Sequence, residues 1–278
     1  EKLGITDNSI SENTAGATVG DLSVLVTDFN NTGITYALSG NDAQYFVLDG
    51  TTIKLKSNVS ADRETKSRYE LTVTATNANG ETITEKVVVK IDNVNETPLL
   101  TNLIGAKVHD EDVLFSFTIP NNTFTDIDGD VLVYSAKKSN GQSLPSWLNF
   151  NATTRSFSGT PLNSDVGVIN VKVTASDGGF SVSNTFSLTV VNINDNPTAV
   201  VLSAIAFDEN STGAVIGTLT TTDDDNIHGD NHTYSLSGVD KESFEITNNQ
   251  LKLIDTISAN YESKNAYSII ITTTDNDA

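Results

Sequence analysis

The chain has 278 residues, 37% of them hydrophobic, with no cysteine and no methionine, so no disulfide can staple its fold. Its 36 acidic against 16 basic residues give a formal net charge of −20, which argues against nucleic acid as a partner because phosphate binding needs a basic surface. No apolar run approaches the roughly 20 residues of a membrane helix, so membrane insertion is not expected.

In chain order the elements repeat. The chain opens at Glu1 without Met or a signal-peptide pattern and is expected to be a piece of a longer protein. Glu12-Asn13 comes first, then Asp28 and the tyrosine-bearing strand Ile34 to Leu38. Ile53 to Lys56, the strictly alternating Tyr69 to Ala75, and Glu85 to Ile91 follow as strands. Asn95-Glu96-Thr97-Pro98 closes the first unit. Glu111, Asp126, a strand at Leu132 to Ser135, the long strand Val168 to Ala175 and Asn194-Asp195-Asn196-Pro197 repeat the order. Glu209-Asn210, Asp223, Thr233 to Leu236 and Tyr267 to Thr273 repeat it once more. Pro98 and Pro197 lie 99 residues apart, and Glu12, Glu111 and Glu209 are spaced by 99 and 98.

This period sets three domains, 1–97, 98–196 and 197–278. The third has no counterpart of the last strand of the first. About seven short strands in each ~100 residues, with Gly, Asn and Asp between them, read as all-β, immunoglobulin-like Greek-key sandwiches in tandem. Trp147 is expected to be a core aromatic of its own repeat.

Acidic residues gather at matching places. Asp62-Arg63-Glu64 sets two carboxylates two residues apart, which an extended segment points the same way. Asn95-Glu96 follows the last strand of the first repeat, and Asp126-Ile127-Asp128-Gly129-Asp130 and Asp177 stand in the second. By composition alone a solvated acidic surface explains the charge. Ionised, unpaired carboxylates crowded together are costly, however, and a divalent cation removes that cost. Calcium takes about six to eight oxygen ligands of this kind.

Glu12-Asn13, Asp62-Arg63-Glu64 and Asn95-Glu96-Thr97-Pro98 resemble the calcium motifs of cadherin repeats, in order and in spacing. Asp126 and Asp128, then Asp223 and Asp225, resemble that family's Asp-x-Asp element, and Asp177 and Asp275 its later single aspartate. The resemblance implies cadherin-like sandwiches with several Ca2+ ions at the junctions. The first junction would use Glu12, Asp62, Glu64, Asn95, Glu96, Asp126, Asp128 and Asp177. The second would use Glu111, Asn194, Asp195, Asp223, Asp225 and Asp275. The middle repeat resembles the dystroglycan-type variant through Leu144-Pro145-Ser146-Trp147-Leu148 and Phe157-Ser158-Gly159-Thr160-Pro161. There Gly-Thr-Pro replaces Asp-Arg-Glu, and Asp165 is the nearest spare carboxylate. Repeat 1 has Asp28-Phe29-Asn30 in place of Asp-x-Asp, and repeat 3 has Asn260-Tyr261-Glu262 in place of Asp-Arg-Glu.

The loop Asp223 to His232 is acidic enough for an extra ion, and His228 with His232 is weak evidence for a transition metal against a flexible polar loop. His109 has no identifiable partner. No Ser-His-Asp set, cysteine nucleophile or glycine-rich phosphate loop is identifiable, so an enzyme is not expected. The cysteine-free, Asn-, Thr- and Asp-rich composition is similar to large bacterial surface adhesins of the type I secreted (RTX) kind. These features imply a secreted, cell-surface module in adhesion or biofilm, binding a peptide or carbohydrate on another surface. The other reading is a purely structural spacer, in contact with neighbouring repeats of the same chain, that holds a separate ligand-binding domain away from the cell.

Overall fold

In the computed structural model, residues 2–275 are described, and among them there are β-strands and four short 3-10 turns but no α-helix. The first repeat contributes β1 (Leu3–Ile5), β2 (Ser9–Ser11), β3 (Thr18–Val24), β4 (Thr35–Ser39), β5 (Phe46–Asp49), β6 (Thr52–Leu55), β7 (Arg68–Thr76) and β8 (Thr82–Asp92). The second contributes β9 (Leu99–Leu100), β10 (Lys107–Asp110), β11 (Phe115–Thr118), β12 (Phe124–Thr125), β13 (Val133–Lys138), β14 (Asn149–Asn151), β15 (Ser156–Gly159), β16 (Gly167–Ser176) and β17 (Ser181–Val191). The third contributes β18 (Ala199–Leu202), β19 (Val215–Thr222), β20 (His232–Ser237), β21 (Phe244–Thr247), β22 (Gln250–Leu253) and β23 (Ile270–Asp275). The three are tandem β-sandwiches.

The chain divides into two compact units. The first comprises Glu1–Leu103, Pro120–Ser135 and Thr174–Asn184. Its sheets run β1-β3-β6-β5 and β2-β8-β7-β4, antiparallel throughout except that β2 lies parallel to β8, Ser9 opposite Lys90 and Ser11 opposite Asp92. Alternation is the cause of the packing. In β7, Tyr69, Leu71, Val73 and Ala75 are buried while Arg68 and Glu70 face solvent. They meet Ile53, Leu55 and Val89 between the sheets. Each fully buried Val or Leu removes enough apolar surface to contribute about 1.5–3 kcal/mol.

The second unit comprises Ile104–Ile119, Ala136–Val173 and Thr185–Ala278. Here β10 lies parallel to β17, Lys107 opposite Leu188 and Asp110 opposite Val191, while β11-β15-β14 form an antiparallel sheet. Trp147 is half-buried, its ring edge-on to Phe115 at 6.5 Å, the core role expected for it. His109 does have a partner: Nε2 lies 3.0 Å from the Val113 carbonyl oxygen and the ring packs on Phe115. Further along, β18-β19-β22-β21 form one sheet and β20-β23 pair alone, the long strand starting at Ile270 rather than Tyr267. In the first repeat β7 begins at Arg68 by pairing with β8, Arg68 opposite Lys90, whereas among the described residues β23 pairs with β20 alone and begins where that ladder begins, Ile270 opposite Ser237. Phe207, Phe244, Leu251, Tyr267 and Ile271 line an open groove of about 780 Å³ beside β23.

One glycine pair is dictated by close approach. Gly20 and Gly217 sit at bulges in β3 and β19, and a Cβ on either would meet the backbone of Asp7 at 2.6 Å or Ala204 at 2.8 Å.

Candidate metal centres

Both candidate centres are built on one local device. Asn13, Asp112 and Asn210, each directly after a repeat's glutamate, adopt left-handed backbone with φ of 60°, 55° and 62°. Asn and Asp tolerate that conformation better than other side-chain-bearing residues. Their N–H groups donate to Ala61, Pro161 and Ala259 carbonyls at 3.0, 2.8 and 3.0 Å, pinning the turn in each repeat. The turn buries the preceding glutamate: Glu12 and Glu111 are both 1% exposed. A buried carboxylate must find donors. Glu12 Oε1 accepts the Val94 N–H at 2.9 Å, and its Oε2 accepts the Arg63 N–H at 2.7 Å. Glu111 Oε1 accepts the Ile193 N–H at 2.9 Å, and Glu209 Oε2 the Tyr261 N–H at 2.7 Å. Each glutamate therefore draws in the segment after the last strand or the Asp-Arg-Glu position.

In the first unit, carboxylate oxygens of Glu12, Glu64, Glu96 and Asp128 all lie within 4.8 Å of one another, and Asp126, Asp128 and Asp130 form an adjoining group. The Glu96 N–H donates to Asp128 Oδ2 at 2.8 Å, and Asn13 Nδ2 donates to Glu96 Oε1. Asn95 Nδ2 donates to Asp177 Oδ2 at 3.1 Å. Among the described residues no lysine or arginine is ion-paired with any of these carboxylates. Glu96 Oε2, Asp126 Oδ2 and Asp128 Oδ1 are buried without a hydrogen-bond partner. Orphaned buried carboxylate oxygens of this kind are what a hard divalent cation would satisfy, so the residues present fit calcium.

The electrostatics follow. Burial, with the charges of Glu12 and Glu96, raises the Glu64 carboxyl above its ordinary pKa. The Asn13 amide pulls Glu96 down, but burial and the charges of Glu12 and Asp128 outweigh it, and Glu96 also sits high. Asp177 sits low because the Phe180 and Gly179 N–H groups both donate to it.

Asp62 differs from expectation. Its Oδ1 accepts the Thr65 N–H at 2.8 Å and its Oδ2 the Thr65 hydroxyl at 2.9 Å, so the side chain caps its own turn outside the four-carboxylate group. Those bonds hold its carboxyl below the ordinary value.

In the second unit, Asp225 is 2% exposed and Oδ2 accepts the Asp195 N–H, the counterpart of Glu96 on Asp128. Asp225 Oδ1 accepts from Asn163 Nδ2 at 2.9 Å. Burial and the charges of Asp112 and Asp225 raise Asp195, and burial with Asp112 and Asp195 raises Glu111. Glu111 Oε2, Asn163 Oδ1 and Asn192 Oδ1 are buried without a hydrogen-bond partner. Asp165 is not brought in. Its Oδ2 accepts the Leu162 N–H at 3.1 Å, closing a 3-10 turn, and that turn presents Asn163 instead. Asn194 is exposed. Sequence reasoning missed Asn163, Asn192 and Asp112. The one available signal was an amide two residues after Pro161 and another two residues before Asn194.

His228 and His232, weak evidence for a transition metal in the sequence, have separate partners. His228 Nε2 lies 3.0 Å from the Asn163 carbonyl oxygen, while His232 Nε2 lies 3.0 Å from Asp223 Oδ2.

Residues 7–92 match the family model described as Cadherin domain, and residues 97–191 the one described as Putative Ig domain. Mouse Cadherin-23 EC22-24 superposes with a TM-score of 0.65 at 18% identity, covering 98% of this chain and 91% of that one. In fold the repeats are cadherin-like. Mouse Protocadherin-24 EC1-3 superposes with a TM-score of 0.61 at 16% identity, covering 98% of this chain and 92% of that one. At such identities the likeness concerns fold alone. Over 163 residues this chain is 29% identical to Protocadherin Fat 4 of Mus musculus, which is 57% of this chain and 3% of that protein. Over 67 residues it is 36% identical to Protocadherin Fat 1 of Homo sapiens, 24% of this chain and 2% of that protein. The chain thus spans about 3% or less of the length of these curated relatives. No helix among the described residues is long and apolar enough to cross a membrane.

Proposed function

We propose that this chain is a calcium-dependent adhesion module of an extracellular surface protein, made of repeats at 1–97, 98–196 and 197–278. Calcium would be held in the first unit by Glu12, Glu64, Glu96, Asp126 and Asp128, with Asn95 and Asp177 beside them. Asp62 joins that set only if its side chain leaves Thr65. In the second unit the ligands would be Glu111, Asp195 and Asp225, with Asn163 as an added amide oxygen, Asp223 and Asp275 nearby, and Asn194 through its backbone.

The observation that carries the reading is the four-carboxylate group around Glu12, whose oxygens lie within 4.8 Å of one another with no ion-paired lysine or arginine among the described residues. Bound ions would add stability as RT ln(1 + [Ca]/Kd) and tie each repeat's last strand to the next repeat's loops. The ligand class is a peptide or carbohydrate on a facing surface. The cysteine-free composition and the distinct middle repeat, with its Gly159-Thr160-Pro161 segment, support a dystroglycan-type variant within a type I secreted bacterial adhesin.

Calorimetric calcium titration, with melting in calcium and in chelator, tests the reading. Saturable binding of several ions with a raised melting temperature supports it, and no calcium effect overturns it. If calcium binds but peptide and glycan arrays stay blank, the module is a spacer between other domains.

A further inference from the structure

The first repeat gathers positive charge on an otherwise acidic chain. Opposed residues of an antiparallel ladder project to one face. On the outer face of β7 and β8 the register sets Lys86 opposite Thr72, Val88 opposite Glu70 and Lys90 opposite Arg68. The Gly40–Asp42 turn and Lys66 line the same space, and together they form an open groove of about 670 Å³. That volume lies in the range of ligand sites. Lys66, Arg68, Lys86 and Lys90 set four positive charges beside the two negative ones of Asp42 and Glu70, in a chain whose net charge is −20. Asp92, the next outward residue of β8, bounds the patch.

Part of this arrangement only holds the fold. Asp42 Oδ2 accepts the Glu70 N–H at 2.8 Å, its Oδ1 accepts from Lys66 Nζ, and that Nζ lies 5.0 Å from the centre of the Tyr69 ring. The third repeat builds the same turn: Asp240 Oδ2 accepts the Ser268 N–H at 2.7 Å, Oδ1 accepts from Lys264 Nζ, and Lys264 lies 4.9 Å from the Tyr267 ring. The surroundings differ. Where the first repeat has Asn41, Arg68 and Thr72, the third has Val239, Ala266 and Ile270. The turn therefore does not require the further polar and cationic groups. Arg68 reaches Glu70 at 3.3 Å, but both are exposed, and such a pair contributes little. Among the described residues neither Lys86 nor Lys90 is ion-paired. Lysines guarding an open strand edge are the plainer account of Lys86. They do not account for Arg68, which stands on the interior strand β7.

Unpaired ammonium groups call for an anion, and the backbone decides between a peptide and a saccharide. An extended peptide adds to a sheet through a free strand edge. Here β7 is bonded to β8 along its whole length, to β4 from Thr72 onwards, and to Asp42 at the Glu70 N–H. The groove offers side chains instead. The Asn41 amide, the Thr72 hydroxyl and the Glu70 carboxylate suit sugar hydroxyls, and exposed Val88 supplies apolar surface for the C–H face of a ring. A strand rise of 3.3–3.4 Å per residue sets Lys86 and Lys90 about 13 Å apart along β8, so a ligand that reaches both carries more than one acidic group. We infer that this groove binds an acidic oligosaccharide, its anionic groups on Lys86, Lys90 and Arg68. The inference rests on the adhesive reading, whose ligand class it narrows, and it uses none of the carboxylates assigned to calcium.

The test is calorimetric titration of the 278-residue chain with a heparin-derived hexasaccharide, in calcium and again in chelator. Maltohexaose serves as the neutral sugar and hexaglutamate as the acidic peptide. The expected result is saturable one-to-one binding of the acidic sugar in both conditions, weakened by added salt and at least about tenfold tighter than either comparator. Lys86→Gln and Lys90→Gln change exposed, unpaired side chains and should each weaken binding at least about tenfold with the melting temperature unchanged. Lys56→Gln removes the same charge from an exposed position after β6, outside the groove, and should bind as the unaltered chain does. Absent binding, hexaglutamate or maltohexaose bound as tightly, or an equal loss in Lys56→Gln overturns the inference. So does binding that vanishes in chelator and is untouched by the Lys86 and Lys90 variants, which would put the sugar on bound ions instead. Failure of the calcium reading would show separately, as absent calcium binding to the unaltered chain.

Discussion

Glu111 accepts the N–H of Ile193 at 2.9 Å across 82 residues of chain, and Glu12 does the same with Val94 at the same distance and separation. One carboxylate thus joins a repeat's first turn to the segment after its last strand.

The charge and the acceptor can be separated at this position. Glu12→Gln keeps an oxygen for the Val94 amide and removes the negative charge. Calcium affinity at the first centre should fall at least about tenfold, while the melting temperature in chelator falls less than in Glu12→Ala, because the new NH2 group leaves only one of the Val94 and Arg63 N–H groups without its acceptor. Glu12→Ala leaves two backbone donors unsatisfied and should lower both. Paired calorimetric melts and titrations check this, and a Gln variant with full calcium response would count against the ligand role.

The left-handed turn makes its own prediction. Asn210, at φ 62°, should accept Gly with little cost, whereas a β-branched Val should lose about 1–2 kcal/mol. Urea unfolding of the two variants measures the difference.

Gly159 should tolerate nothing larger. At φ 155° a Cβ there would lie 1.7 Å from the Trp147 carbonyl oxygen, a backbone atom that cannot swing aside. Gly159→Ala should cost about 1–3 kcal/mol through forced displacement of the Trp147 segment. An unchanged denaturation midpoint would mean that this segment moves freely.

Acid should stabilise the metal-free protein at first. Glu64, Glu96 and Glu111 sit above the ordinary glutamate value of 4.5, so the folded state binds more protons than the unfolded chain between that value and the raised ones. Stability in chelator therefore rises as pH falls through the raised pKa values towards 4.5. Asp62 and Asp177 sit below the ordinary aspartate value of 3.8, so their contribution is lost below it, as pH falls through their depressed values. A maximum at mildly acidic pH results. In calcium the order inverts over the upper window, because protons compete with the ion for Glu64 and Glu96. Melting curves against pH in the two conditions should cross.

Much of this was legible in the sequence. The alternation of Tyr69 to Ala75 has one solution, a strand with one face in the core, and the structure extends it by one residue at each end. The 99-residue spacing of Glu12 and Glu111 put both in the same local turn. Side-chain direction was not legible. Asp62 and Asp165 fit a ligand pattern by type and place, yet each bends back to an amide three residues away, a local choice that Asp makes readily. Asn163 enters because that same turn turns it inward, and nothing in its neighbours' polarity announces this. His232 and His228, four residues apart, look like a pair in one dimension. The 3-10 turn and Gly229 between them send one to Asn163 and the other to Asp223.

The parallel pairings bear on how the polypeptide is made. Strand β2 finds its partner 81 residues later in β8, and β10 finds its partner in β17 at the same separation. Such long-range contacts form late, because loop closure precedes any gain from pairing. A chain emerging amino end first from a ribosome therefore exposes each β2 or β10 edge until the final strand of that repeat is outside. Passage in extended form is thus favoured until the closing strand arrives, and each repeat locks as a unit only after its whole length has cleared the exit.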